Sequence, residues 1–395
     1  MLQTFSDIRS PFAALRTQLE GIAPGQPPID LTIGAPRHTP PSWTSEKLTE
    51  AISSVGQYPP IHGSPALQCA MKTWAEQRFT GLKGQLNEKN ILPLNGSREG
   101  LFYAIFIAKS RRAEIENPIV LMPNPYYQVY SAAALAAGAT PWFLNGSAEN
   151  GFLPNVDEIP ADIIARTIAF YICTPSNPEG AVATRPYLKN LISLAREHQF
   201  MLFSDECYSE IYRRDKPASA LEVAAAETGS LANVCAFNSL SKRSNLPGIR
   251  SGLVMGEDQF ITTFKNFRNV AGPQIPGPIQ HLSAHLWNDE DHVVENRNLY
   301  NKKYDLVKQL LSPSFAVKIP EGGFFLWLNL SEHGGGIDVT TTLWKGCGIK
   351  LLPGAYLSQP DHKGVNPGTD YARMALVASL EETEEALVRL KSVLG

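Results

Sequence analysis

Short apolar runs, each ending in a polar loop and separated from the next by a helical segment, recur between about residues 90 and 260. Runs of this length are typical of buried strands, and their alternation with helices favours parallel pairing. The predicted strands are residues 91–95, 118–122, 167–173, 200–203 and 234–237. We therefore expect an α/β fold in which helices sandwich a mainly parallel sheet.

After about residue 275 the pattern changes to a long helical region followed by short strands. We expect the long helical region to span about residues 280–311. Two further helices are expected, a short one near 339–345 and a last one over 381–393. The predicted strands of this part are residues 315–319, 322–328, 349–352 and 372–378. The mixture is typical of an α+β unit.

These patterns divide the chain of 395 residues, which is long enough for two hydrophobic cores, into three parts. We expect a large ligand-binding domain over residues 46–280 and a smaller α+β domain over residues 281–395. The N-terminal segment, residues 1–45, is expected to pack with the small domain. The sequence has no Gly-x-Gly-x-x-Gly motif, which disfavours a dinucleotide fold.

Charge and cysteine content narrow the class of protein. The net charge of −3, from 35 basic and 38 acidic residues, indicates neither nucleic acid nor an anionic membrane as a partner. Five cysteines without a C-x-x-C pair indicate neither a disulfide framework nor a zinc site, so no metal is expected. No signal-peptide pattern is present, and no apolar run approaches the roughly 18 residues that span a bilayer, so we expect a cytoplasmic protein.

A lysine in a phosphate-binding context is the most informative chemical feature. Ser239, Ser241, Lys242, a Pro-Gly turn and Arg250 follow directly after a predicted strand. Hydroxyls and a guanidinium suit a phosphate, and a partly buried lysine beside them is a nucleophile towards an aldehyde. The combination suggests pyridoxal phosphate held as a Schiff base. The alternative is a solvated basic turn.

A second anion site is suggested where the strand at 91–95 ends at Gly96 and a helix begins. Ser97 and Arg98 stand at the start of that helix, where free N–H groups and the helix dipole favour an anion. Alternatively, Ser97 merely caps the helix. The two interpretations are compatible, and Arg250 qualifies as a second phosphate-binding element.

Polar and aromatic side chains also follow the ends of other predicted strands, where ligands bind in open α/β sheets. Asp205 ends a buried strand, a costly place for a charge unless a cation such as a protonated ring nitrogen is near. Tyr208, three residues later, can reach the same ligand. Tyr127 either stacks on a flat ring or packs in the core, and Asn177 either meets the ligand or serves the turn.

Three further candidates are ambiguous when taken alone. Gly34 lies in a turn after a short strand and lets another group approach the backbone, or is a plain turn residue. Tyr58 lies in a Pro/Gly-rich loop, where surface packing is the ordinary role. Arg373 heads an apolar strand and either pairs internally or receives an anionic substrate.

Taken together, these motifs resemble the class I/II aminotransferases, pyridoxal-phosphate enzymes of fold type I, over almost the whole chain. In order, the matching motifs are Asn177-Pro178 with Gly180, Asp205-x-x-Tyr208, Ser239-x-Ser241-Lys242 with Pro247-Gly248-x-Arg250, and Arg373. Within the family, the stretch from Lys242 to Gly252 and the Tyr58-Pro59-Pro60 loop are most similar to N-succinyldiaminopimelate aminotransferases of lysine biosynthesis.

The resemblance implies a role for each catalytic candidate. Lys242 would hold pyridoxal phosphate and move the proton between the substrate Cα and the cofactor. Asp205 would keep the ring nitrogen protonated, and Tyr208 and Asn177 would bind the phenolic oxygen. Arg373 would clamp the substrate α-carboxylate. The backbone of Gly34 would assist it.

The remaining roles concern the cofactor's phosphate and ring. The resemblance implies that the phosphate is held by Ser97, Arg98, Ser239 and Arg250, that Tyr127 stacks on the ring, and that Tyr58 reaches the phosphate from a neighbouring subunit. We therefore expect a homodimer with active sites at the interface. Its substrates would be an amino acid and a 2-oxo acid, with 2-oxoglutarate and glutamate as the usual pair.

Two positions depart from the family pattern on the substrate side, the turn after Gly34 and Glu179 after Asn177-Pro178. We hypothesise that Arg37 or Arg243 meets the distal carboxylate of a long substrate. The alternative functions are a carbon–sulfur β-lyase of the same fold and an aminotransferase with another amino-acid donor. A cofactor-binding regulator is disfavoured, since no helix-turn-helix extension or basic patch precedes residue 30.

Overall fold

A computed structural model describes residues 4–312 and 315–395 of the protein. The strands of these residues form one large sheet and two small ones. In chain order they are β1 (Ile29–Asp30), β2 (Ile91–Leu94), β3 (Ile119–Asn124), β4 (Thr140–Asn145), β5 (Thr167–Cys173), β6 (Met201–Asp205), β7 (Val234–Ser239), β8 (Gly252–Gly256), β9 (Phe325–Asn329), β10 (Ile349–Lys350), β11 (Leu352–Pro353) and β12 (Tyr371–Ala375).

Helices connect and cover these strands. They are α1 (Pro11–Leu19), α2 (Thr44–Glu50), α3 (Pro65–Arg78), α4 (Ser97–Arg111), α5 (Gln128–Ala136), α6 (Ala161–Ala165), α7 (Arg185–Glu197), α8 (Ala220–Thr228), α9 (Leu240–Arg243), α10 (Asp258–Ala271), α11 (Gly277–Asn288), α12 (Asp291–Leu310), α13 (Gly336–Cys347) and α14 (Leu380–Leu394). No helix among the described residues is long and apolar enough to cross a membrane.

The large sheet has the strand order β2-β8-β7-β6-β5-β3-β4. The pairs from β7 to β4 are parallel, and β8 runs antiparallel to both β2 and β7. The predicted α/β fold with a mainly parallel sheet is therefore confirmed. Because β6 and β7 are parallel neighbours, Asp205 and Ser239, the residues that end them, lie at the same edge of the sheet.

Both faces of the large sheet are buried, which explains the continuous apolar runs in the sequence. Phe170 and Leu202 belong to the apolar cluster on one face, and Tyr171 and Phe203 belong to the cluster on the other. Successive strand residues point to opposite faces, so a strand covered on both sides needs apolar residues at every position.

The C-terminal part contains the antiparallel sheet β11-β12-β9. Strand β1 pairs in parallel with β10, with Ile29 opposite Ile349. Leu31 is fully buried in the same apolar cluster as Leu326 and Leu387. The N-terminal strand is thus held against the last quarter of the chain.

Several predicted elements differ from the observed ones. Residues 315–319 form no strand; their alternating apolar side chains pack half-buried on the small core, and β9 pairs with β12 instead. The predicted strand at 349–352 splits into β10 and β11, which belong to different sheets. The long helical region breaks at Asp289, whose carboxylate accepts a hydrogen bond of 3.1 Å from the backbone N–H of His292 and so favours a new helix start.

Candidate active site

A cavity of about 500 Å³ lies at the carboxyl ends of the parallel strands and extends towards the small sheets. It gathers residues from ten parts of the chain that are distant in sequence. The predicted site residues that line it are Gly34, Ser97, Arg98, Tyr127, Asn177, Asp205, Tyr208, Ser239, Lys242, Arg250 and Arg373. Tyr58 does not line it; its side chain is 98% exposed on the surface of the same chain.

Lys242 reaches the cavity because β7 ends in a capped turn. The hydroxyl of Ser239 accepts a hydrogen bond of 3.1 Å from the N–H of Ser241, which starts the short helix α9 immediately after the strand. The lysine Nζ donates to the carbonyl of Gly34, so the N-terminal segment and the lysine meet directly. Asn296 supports the turn by donating to the Lys242 carbonyl at 3.2 Å.

The environment of Lys242 favours the neutral amine. Burial lowers the pKa of Lys242 to about 8, and the positive charges of Arg373 and Arg98 act in the same direction. The negative charge of Asp205 opposes them. A substantial fraction of the lysine is therefore neutral near pH 7 to 8, the form that attacks an aldehyde or accepts a proton.

Asp205 is buried, with 5% of its surface exposed. Tyr130 Oη donates to its Oδ2 at 2.8 Å, and the N–H of Cys207 donates to its Oδ1 at 3.3 Å. Burial raises the pKa of Asp205, while these two donors and the charge of Lys242 lower it. Both hydrogen bonds come from neutral groups, so the carboxylate retains capacity for a cationic partner from the cavity.

Arg373, Asn177 and Phe325 lie together in the lining of the cavity. Arg373 Nη1 donates to Asn177 Oδ1 at 2.8 Å, and Nη2 donates to the carbonyl of Thr32 at 2.6 Å. The guanidinium carbon lies 4.6 Å from the centroid of the Phe325 ring. Burial lowers the pKa of Arg373 to about 10, and its Nε has no partner among the described residues. The side chain is thus a buried cation with a free donor.

Tyr208 is held by aromatic packing. Its ring meets Phe324 and Phe325 edge to face, with centroids 5.4 and 5.7 Å apart. The Lys242 Nζ lies 5.9 Å from the centroid of the tyrosine ring. Burial raises the pKa of Tyr208, so its hydroxyl is a neutral hydrogen-bond donor at neutral pH.

The N-terminus of α4 and the side chain of Arg250 form another part of the cavity lining. Gly96 precedes α4 with a φ of 81°, and a Cβ at this position would collide with the guanidinium of Arg250. Arg250 is itself fixed by a hydrogen bond of 2.9 Å from Nη1 to the carbonyl of Pro247. The glycine therefore lets the arginine lie over the N-terminus of α4, beside Ser97.

Tyr127 is half-buried and precedes α5. Its hydroxyl accepts a hydrogen bond from Nε of Arg98, whose guanidinium carbon lies 5.7 Å from the tyrosine ring centroid. The sequence predicted both residues in the site. Their direct contact was not foreseen.

Several residues at or next to the cavity were not predicted from the sequence, among them Phe325, Tyr130 and Cys207. Tyr130 lies three positions after Tyr127 at the start of a helix, and this spacing puts both on one face. Cys207 lines the cavity between Asp205 and Tyr208, and its Sγ donates to Ser97 Oγ at 3.1 Å. The three-residue spacing from Tyr127 could have identified Tyr130. Nothing in the sequence distinguishes Cys207 from an ordinary cysteine.

The hypothesis that Arg243 meets a distal carboxylate is wrong. Its side chain is 2% exposed and donates to the Leu286 carbonyl and to Glu290. An arginine held in this way cannot reach a ligand in the cavity. Arg37 is exposed, donates to the Asp30 carbonyl at 3.1 Å, and does not line the cavity.

Glu179, the departure noted after Asn177-Pro178, is buried with 8% of its surface exposed and does not line the cavity. Its Oε2 accepts a hydrogen bond of 2.8 Å from the Ser176 hydroxyl. Burial raises the pKa of Glu179 to about 7, and the hydrogen bonds oppose this change. The Glu179 side chain therefore forms a hydrogen bond within the loop that carries Asn177.

Comparison with known proteins agrees with this geometry. The family model described as aminotransferase class I and II matches residues 26–390. An LL-diaminopimelate aminotransferase of Dehalococcoides mccartyi is 30% identical over 374 residues, which cover 93% of this chain and 92% of the relative. A crystal structure of an aminotransferase from Neisseria meningitidis has a TM-score of 0.92 and 35% identity, and the match covers 98% of each chain. The chain therefore belongs to the class I and II aminotransferases, enzymes that transfer nitrogenous groups and depend on pyridoxal phosphate.

Proposed function

We propose that this aminotransferase takes its amino group from a donor with the diaminopimelate skeleton and passes it to 2-oxoglutarate. The support for the donor is the similarity to the LL-diaminopimelate aminotransferase described above. The sequence motifs favoured the N-succinyl derivative of the same skeleton. Both donors present an identical reacting end, an α-amino carboxylate, and differ only at the distal end.

The residues around the cavity fit pyridoxal phosphate. The buried carboxylate of Asp205 has neutral hydrogen-bond partners and suits a protonated ring nitrogen. Ser97, Ser239 and Arg250 would hold the phosphate near the N-terminus of α4. Tyr127 would lie against the ring. When bound, the cofactor supplies an electron-accepting ring that stabilises the negative charge left on the substrate Cα.

Lys242 is the proposed acid and base. Its half-buried amine lies in the same cavity as Asp205 and Arg373, and its lowered pKa leaves enough neutral amine to accept a proton near pH 8. The hydrogen bond to the Gly34 carbonyl holds the amine on the side of the N-terminal segment. From there Lys242 would remove the proton from the substrate Cα and deliver it to the cofactor.

Arg373 is the proposed receptor for the substrate α-carboxylate. Taking a cation out of water is costly, and a buried arginine with an unpartnered Nε gains from a carboxylate that enters the cavity. Asn177 and Thr32 fix the orientation of the guanidinium, so little side-chain freedom is lost on binding. The observation that carries the proposal is that the buried guanidinium of Arg373 and the amine of Lys242 line one cavity.

The assembly and domain division are further parts of the proposal. The exposed ring of Tyr58 is available to complete the phosphate site of a second subunit, as expected for a homodimer. We divide the chain into an N-terminal segment (1–45), a large domain (46–288) and a small domain (289–395). The boundary moves from 280 to 288 because Leu282 and Trp287 of α11 pack in the core of the large sheet.

A donor screen tests the substrate assignment. Purified enzyme with pyridoxal phosphate and 2-oxoglutarate is given LL-diaminopimelate, N-succinyl-LL-diaminopimelate, aspartate or cystathionine, and glutamate formation is followed. We expect kcat/KM for one of the two diaminopimelate donors to exceed that for aspartate by at least about tenfold, equal to about 1.4 kcal/mol of transition-state binding. Preference for aspartate would refute the donor. Thiol release from cystathionine without glutamate would instead indicate a carbon–sulfur β-lyase.

A further inference from the structure

Two histidines and a glutamate meet on the surface of the large domain, away from the cavity. Glu50 is the last residue of α2, and α2 packs on α11. His281 and His285 lie four positions apart on α11, so both point from one face of that helix towards α2. None of the three lines the active-site cavity.

The ligand atoms of the three residues lie close enough together to share one metal ion. Oε2 of Glu50 and Nε2 of His281 are 3.0 Å apart, and one ligand atom from each of the three residues lies within 4.8 Å of the others. The two imidazole centroids are 4.8 Å apart, with the rings inclined at 72°. Zinc binds nitrogen and oxygen ligands at roughly 2.0–2.2 Å. Small side-chain rotations would place all three ligand atoms at that distance from one ion.

We propose that Glu50, His281 and His285 bind one divalent transition-metal ion of the zinc type. Imidazole nitrogens suit zinc, copper and nickel, whereas magnesium and calcium prefer oxygen ligands alone. Two histidines and one carboxylate leave a fourth position for water. The ion would join the end of α2 to α11 and stabilise the large domain.

The neighbouring charges are compatible with metal binding. Lys47 donates to Oε1 of Glu50 at 2.6 Å, which leaves Oε2 to face the histidines.

Equilibrium dialysis of the untagged holoenzyme against Zn²⁺, with metal analysis of the protein, tests the proposal. We expect one ion per chain in the wild type and a rise in Tm with Zn²⁺ concentration, because an ion that binds the folded state stabilises it. His281→Gln and His285→Gln should each weaken binding by more than about tenfold, a loss that even supporting residues of metal sites produce. Co²⁺ should give the visible absorption of a tetrahedral site in the wild type but not in these two variants.

His333→Gln is the matched control, since His333 is an exposed histidine on another part of the surface. It should bind Zn²⁺ like the wild type. Equal zinc content and equal Tm shifts in all four proteins would overturn the proposal. So would a wild type that takes up no Zn²⁺. If a variant is unstable without metal, the Co²⁺ spectrum of Glu50→Gln provides an independent readout, and an unchanged spectrum would also refute the site.

Discussion

The hydroxyl of Tyr130 donates a hydrogen bond of 2.8 Å to Oδ2 of Asp205, and both groups are buried. The tyrosine ring is itself fixed, because it stacks on Tyr171 with centroids 4.6 Å apart and an interplanar angle of 8°. The orientation of the carboxylate is thus set by a side chain that does not line the cavity. Tyr130 is a positioning residue for Asp205.

Replacing Tyr130 with phenylalanine should lower kcat/KM by about 10- to 100-fold, since a hydrogen bond to a charged group contributes about 1.5–3 kcal/mol. The hydroxyl lowers the pKa of Asp205, so its loss should raise that pKa and move the acidic limb of the pH–rate profile to higher pH. Tyr103→Phe is the control, because that hydroxyl contacts the Ala271 carbonyl instead. An unchanged pH profile would mean that Tyr130 is merely a packing residue.

Arg373→Lys should raise KM for the amino donor by about 10- to 100-fold, with a smaller effect on cofactor binding. Lysine keeps the charge but loses the planar fork of donors that matches a carboxylate. Steady-state kinetics and the cofactor's visible absorbance measure the two effects separately. Arg213→Lys, which alters an arginine paired with Asp305 outside the cavity, should leave KM unchanged. A normal KM for Arg373→Lys would contradict the assigned role.

The rate at which the cofactor-free protein captures pyridoxal phosphate should rise as the pH rises through about 8. The reason is that burial lowers the pKa of Lys242 to about 8, and only the neutral amine attacks the aldehyde. Stopped-flow absorbance at a series of pH values measures this rate. A rate that stays constant through this range would show that lysine deprotonation does not limit capture.

Glu179→Gln should make the protein more stable at about pH 8 but not at about pH 5. Burial raises the pKa of Glu179 to about 7, so between its ordinary value of 4.5 and about 7 the unfolded chain is ionised while the folded protein keeps the proton. Stability therefore falls as the pH rises through this window, by up to about 3 kcal/mol. Thermal unfolding of the variant and of the exposed-site control Glu88→Gln checks the prediction, which fails if both respond to pH alike.

The sequence predicted the large sheet well because burial on both faces leaves an unmistakable signal. Strand β5 spans Thr167–Cys173, the range that its apolar run indicated. Residues 315–319 show the limit of the method, since alternating apolar side chains also suit an extended segment lying on a core. Strand pairing depends on a partner distant in sequence, which periodicity does not reveal.

The sequence predicts a cavity residue when that residue type is unusual for its local structure. Asp205 stood out as a charge at the end of a buried strand, and it does face the cavity. Arg243 was misjudged because adjacency to Lys242 in sequence suggested proximity to the ligand. Successive residues of a helix point in different directions, and this arginine turns away to pack on Trp74 and Trp287.

The central claim is that Lys242 carries the cofactor. Borohydride reduction of the holoenzyme, followed by proteolysis and mass spectrometry, should place the pyridoxyl group on the peptide containing Lys242, and Lys242→Ala should give no such label and no transamination. Label on a different lysine, or a wild-type protein that retains no label, would contradict the account.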